Sequence, residues 1–232
     1  QYNSNYTWTL GTDSEDPEPD LSAGTGGGIY LAGTMSAVSL DLLSNQSASS
    51  GGGAYVIGEL AMDHSTISGN SSSNTGGGLK VNGTAVIDSS LLLTNSSGEN
   101  GGGLYGSGTL DLTYSQVNDN VSSSDGGGLY WKSGQLTVER SDLRRNEAYR
   151  GGGGFILAEN PIFQYDVVSS NSATTIGGGL YISKSTDVSS TPIIFNSTVV
   201  YNTSSVLGSG LLCTNQTNPV VQNSIFWGNL AA

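Results

Sequence analysis

The chain has 232 residues, of which 35% are hydrophobic and 11% charged, with 35 glycines and a formal net charge of −12. So few charges do not fit a charged disordered chain. Seven Lys and Arg cannot neutralise many phosphates, and an anionic lipid surface would repel the chain, so nucleic acid and membrane insertion are both set aside.

The abundance of Gly, Ser, Thr and Asn leaves two classes, linkers and all-β repeat proteins, and periodicity decides between them. Residues 1–25 carry no repeat. They start at Gln1 rather than Met, as expected of a mature chain after removal of a leader. The acidic stretch Asp13 to Asp20 lies here, and the segment is expected to be an N-terminal cap with an exposed acidic loop, because an uncovered end would be a bare sheet edge.

Residues 26–232 repeat throughout. Glycine triplets start at Gly26, Gly51, Gly76, Gly101, Gly126, Gly152 and Gly177, followed by Gly208-Ser209-Gly210, with spacings of 25 or 26 residues and a final 31. A period this regular signals a solenoid. After each triplet comes an apolar column, Ile29, Ala54, Leu79, Leu104, Leu129, Phe155, Leu180 and Leu211. Two residues on come Leu31, Val56, Val81, Gly106, Trp131, Leu157, Ile182 and Cys213. Between them lie Tyr30, Tyr55, Lys80, Tyr105, Tyr130, Ile156, Tyr181 and Leu212, giving the in-out-in alternation of a strand.

An asparagine closes each unit: Asn45, Asn70, Asn95, Asn120, Asn146, Asn171, Asn202 and Asn229. The residues three and eight places before it are apolar in all eight units, and a serine recurs five before it at 65, 90, 115, 141, 197 and 224. No stretch shows the 3.6-residue period of a helix, and the glycines oppose one. Each unit therefore reads as three short strands joined by tight corners, one coil of a parallel β-helix. The whole is an all-β, single-stranded parallel β-helix of about eight coils of 25 residues. Stacked at about 4.8 Å, eight coils make a rod roughly 40 Å long. The longer seventh unit is expected to bulge near Ser183 to Thr191. The last stretch, Ile225 to Ala232, stops within a coil without a polar cap, which predicts that following chain or a second subunit stacks there.

Ser115-Gln-Val-Asn-Asp-Asn120 leading to Gly126-Gly-Gly-Leu-Tyr130, with Ser224-Ile-Phe-Trp-Gly-Asn229 of the same form, resembles the repeats of polymorphic outer membrane proteins. These belong to the pectate-lyase-like β-helix group, and the resemblance covers roughly residues 24–232. It implies a right-handed coil, as the general handedness of parallel crossovers also does. It implies adhesins and surface domains on one side, and polysaccharide lyases or hydrolases on the other. A lyase of this group would use an arginine-type base and calcium-binding aspartates.

Several residues are candidates for function. The asparagine column holds the sequons of Asn45, Asn70, Asn95, Asn120 and Asn202, but an amide ladder bonding coil to coil is the preferred reading. Asn5, Asn82, Asn196 and Asn215 lie off that column and are the expected glycosylation sites. Tyr30, Tyr55, Tyr105, Tyr130 and Tyr181 should face outward, either contacting sugar rings or a partner, or stacking on one another. Asp63 and Asp88 sit on adjacent coils in one acidic column with Glu139, where a calcium ion would relieve their repulsion.

Arg140, Arg144, Arg145 and Arg150 cluster in coil five, two to three coils from that aspartate pair, so no compact catalytic constellation forms. Their expected partners are local acids or a neighbouring subunit. His64 is the single histidine without a supporting motif, and Cys213 reads as a small core residue. No threonine column persists to make an ice-binding face. The sequence thus points to an extracellular or cell-surface structural or adhesive protein, with a carbohydrate-active or carbohydrate-binding protein as the alternative.

Overall fold

The computed structural model describes residues 24–184, 189–215 and 217–231. In it the repeat winds into a β-solenoid of eight coils, and every strand pair between coils is parallel. Residue i faces residue i+25 through the first four coils, as in Ile29↔Ala54 and Leu42↔Ile67. Among the described residues there is no helix.

Three sheets run along the rod. The first is built from ten-residue strands such as Ala54–Asp63, Leu79–Asp88 and Leu104–Thr113. The second holds three-residue strands such as Leu91–Leu93 and Gln116–Asn118, and the third two-residue strands such as Ser96–Ser97 and Val121–Ser122.

The first strand of coils one to five is longer than the short segments expected, because a mid-strand glycine bends it without breaking it. Gly33, Gly58, Gly83, Gly108 and Gly134 stack in register, with φ from 86° to 140°. A Cβ on Gly83 would lie 2.0 Å from the carbonyl oxygen of Gly58, so no side chain fits. Coils six to eight lack this glycine, and the strand divides: Gly154–Ile156 with Ile162–Gln164, Leu180–Ile182 with Ile193–Phe195, and Leu211–Cys213 with Val220–Gln222. The bulge expected at 183–191 falls in the second of these gaps. Its residues 185–188, like the expected cap over 1–23 and the sequon at Asn5, lie outside the described residues.

At the triplets, crowding between coils explains the glycines. In the triplet Gly76 to Gly78, the first residue takes φ +69°. A Cβ on Gly77 would lie 2.3 Å from the Ser96 oxygen and 2.4 Å from the Gly102 oxygen. The corner closes only where backbone can touch backbone on both sides.

Inward positions of successive coils stack into columns, four from a long first-sheet strand, as at Ala54, Val56, Leu60 and Met62, and one from each second-sheet strand. Ile67, Leu92, Val117, Leu143, Val168 and Val199 stack and are at most 1% exposed, as are Ile87, Leu112, Val138, Phe163 and Ile194 beside them. Each such side chain contributes about 1.5–3 kcal/mol of burial. Coil six corrects the expected alignment. Its run is Gly151 to Gly154, and the coil is set from Gly151, so Leu129 faces Gly154, Tyr130 faces Phe155 and Trp131 faces Ile156. Phe155 therefore joins the outward aromatic column, Ile156 points into the core, and Leu157 falls between strands.

Candidate functional site

The asparagine column is a continuous hydrogen-bonded ladder. Each asparagine donates Nδ2–H to Oδ1 of the asparagine one coil on, at 2.9–3.1 Å, from Asn45 through Asn202. The same Oδ1 also accepts the backbone N–H of the preceding asparagine. From Asn70 onward the second amide proton goes to a backbone carbonyl of the coil before, as from Asn120 to Leu92 at 2.9 Å. From Asn70 to Asn202 every valence of the amide is used, and these side chains are buried. No room or free donor remains there for a glycan.

The off-column sequons are placed differently. Asn82 is half-buried and donates to the Tyr55 hydroxyl at 3.0 Å. Asn196 sits half-buried at a left-handed corner with φ 49°. Asn215 is exposed, with φ 54°, and donates to Ser183 Oγ at 2.9 Å.

The tyrosine column is a ring stack that runs along the rod. Tyr105 and Tyr130 stack at 5.1 Å, Tyr130 and Phe155 at 5.2 Å, and Phe155 and Tyr181 at 4.4 Å, all within 10° of parallel. Tyr30 and Tyr55 meet edge to face at 5.5 Å. Lys80 fills the slot between the two groups, its Nζ 4.6 Å from the Tyr55 ring and 5.6 Å from the Tyr105 ring. The ring faces from Tyr105 to Phe155 are occupied by one another, leaving edges to solvent, and Tyr181 is buried. Burial pushes the Tyr130 hydroxyl up to about 12 and raises Tyr55 and Tyr105 too, so these three hydroxyls keep their protons at neutral pH.

Asp63 and Asp88 are directly in register. Asp63 pairs with His64 Nδ1 at 2.5 Å, and Asp88 accepts from Thr113 Oγ1 at 2.6 Å and Ser89 Oγ at 3.1 Å. Among the described residues no group of three or more acidic, histidine or cysteine side chains converges. The four arginines of coil five each hold an acid. Arg145 grips Asp119 bidentately at 2.6 and 2.8 Å, and Arg150 grips Asp125 at 2.7 and 2.6 Å. Arg144 pairs with Asp142 at 2.9 Å and Arg140 with Glu139. Cys213 is half-buried in the inward column, where burial raises its thiol.

One feature escaped the sequence reading. The serine column is a second ladder: Ser65, Ser90, Ser115 and Ser141 each accept an N–H from the coil before, at 3.0–3.1 Å. In coil six its place is taken by Asp166, whose position five before Asn171 was the available signal. The end coil is singled out by the sequence. Its inward positions Val221 and Phe226 are 43% and 39% exposed, whereas the matching inward residues of the first coil, Ala37 and Leu42, are 5% and 6% exposed.

No family model, no curated protein and no solved structure matches the chain. The likeness to outer-membrane-protein repeats rests on the repeat residues alone.

Proposed function

We propose that the chain is an extracellular structural or adhesive protein, a right-handed β-helix of the pectate-lyase-like kind, which serves as a rod and carries a further coil on its Leu211–Ala231 edge. The polar side chains along the shaft support this reading: ladder amides, serines, ring faces, Arg145 and Arg150 are committed to coil-to-coil contacts. What remains open is the end. The exposure of the inward Val221 and Phe226, 43% and 39%, beside the exposed Ile225, Trp227 and Leu230, carries the proposal.

The ladders specify what fits there. In coil seven, Ser197 N–H donates to Ser224 Oγ and Asn202 N–H to Asn229 Oδ1. Ser224 and Asn229 present the same donors one coil further. An incoming coil must run in the same strand direction and offer an acceptor side chain opposite each, five residues apart. A second copy or the same polypeptide can supply it.

Sedimentation of the isolated chain tests the proposal. Concentration-dependent association is expected, and Trp227→Ser with Ile225→Ser should abolish it. A chain that stays monomeric and is not stabilised by one appended consensus coil would overturn the stacking role. Released sugar from acidic polysaccharides incubated with the chain would favour the carbohydrate-active alternative instead.

A further inference from the structure

In six coils the corner five residues before the ladder asparagine is a serine, whose hydroxyl both accepts and donates. Ser141 Oγ accepts from Ser115 N–H at 3.1 Å and donates to the Glu139 carbonyl at 3.0 Å. Ser197 Oγ likewise accepts from Asp166 N–H at 3.1 Å and donates to the Phe195 carbonyl at 2.9 Å. Asp166 occupies this place in coil six and is 1% exposed. Its Oδ1 accepts from Ser141 N–H at 2.8 Å, which serves the acceptor half of the role. Its Oδ2 is buried with no hydrogen-bond partner. An ionised carboxylate has no proton to donate, whereas a neutral carboxylic acid has one, as a serine does.

We propose that Asp166 is a proton-operated latch: neutral, it closes the serine ladder between coils five and seven, and ionised, it loosens coil six. The surroundings favour the neutral form. Burial pushes its carboxyl up to about 7, against the opposing pull of the backbone amides of Ser141 and Gln164. On the coil-five side the charged groups at this corner are Glu139 and Arg140, paired with one another, and Asp142 and Arg144, likewise paired. Asp142 acts on Asp166 and disfavours its ionisation. On its own coil the neighbour is Tyr165, whose ring faces Arg140 at 4.8 Å. Coil seven brings Asn196, Ser197 and Thr198, none of which titrates in this range. In coil six the first-sheet strand has also divided, into Gly154–Ile156 and Ile162–Gln164, the second ending two residues before Asp166.

The sign follows from linkage. The folded carboxyl holds its proton to a higher pH than the unfolded one, whose ordinary value is 3.8. The stabilisation is fully present below that ordinary value, falls as pH rises towards 7, and is gone above it.

Thermal unfolding of the full chain and of Asp166→Ser from pH 4.5 to 8.5 tests the latch. The midpoint of Asp166→Ser should gain on the wild type as pH rises to about 7 and hold that gain above it. A difference independent of pH would overturn the proposal. Infrared spectra give a reading independent of folding differences. The wild type at pH 6 should show one protonated-carboxyl C=O band that disappears by pH 8.5 and is missing from Asp166→Asn. Absence of that band at pH 6 would also overturn it.

Discussion

Asn120 shows what a single ladder residue does. Its side chain makes four hydrogen bonds: from Nδ2 to Leu92 O and Asn146 Oδ1, and at Oδ1 from Asn95 N and Nδ2. Asn120→Ala strands buried partners on both neighbouring coils at roughly 1–3 kcal/mol each, so a loss of about 4 kcal/mol is expected in urea unfolding. Asn82→Ala, at a half-buried site with one side-chain bond, should cost less than about 1 kcal/mol. The ladder was visible in the sequence because identical residues at a fixed period must stack. The Asp166 substitution was not, because a gap in a serine column has no meaning until the column is known to be hydrogen-bonded. A residue's pKa depends on what is stacked above and below it, and those groups are 25 and 31 residues away.

At the scale of the strand, Gly106 and Trp131 form one packing unit. They are neighbours in an inward column otherwise filled by Leu31, Val56, Val81, Ile156, Ile182 and Cys213. Trp131 is fully buried, and a Cβ on Gly106 would lie 2.2 Å from its ring. Gly106→Val should therefore cost about 3 kcal/mol by overpacking. Trp131→Val should cost a similar amount by opening a cavity. The double substitution restores two β-branched residues and should recover most of both, a coupling of about 2 kcal/mol or more in a double-mutant cycle by chemical denaturation. Additive costs would show that the two sites do not share volume. The sequence showed an apolar column but not which large residue leans over which small one. Coil six makes the same point. Four consecutive glycines, Gly151 to Gly154, allow two registers, and a slip of one residue exchanges inside and outside. The stacking of Phe155 between Tyr130 and Tyr181, with Ile156 in the core, decides between them.

As a whole, the molecule is nearly one-dimensional: each coil touches only its neighbours, and stability is close to a sum of coil and interface terms. The last coil, whose inward Val221 and Phe226 are 43% and 39% exposed, is the weakest. Amide hydrogen exchange should be fastest over Leu211–Cys213, Val220–Gln222 and Ile225–Trp227, and slowest in coils three to five. Uniform exchange along the rod would contradict this. The ladder also constrains modification. If the chain is made in a secretory pathway, peptide mass spectrometry should find glycans at Asn196 or Asn215 and none at Asn70, Asn95, Asn120 or Asn202. A glycan on folded Asn120 would be incompatible with its saturated amide.

The period alone determined the coil, the number of windings and, outside coil six, the residues that line the shaft, since stacking identical positions leaves one way to bury every apolar column. Tertiary structure decided the rest. It settled the register of coil six, the bend at the second glycine column, the stacking of aromatic faces on each other, and the burial of Asp166. Each depends on contacts between coils, which set volumes and proton affinities, while periodicity within the chain sets only which residues meet.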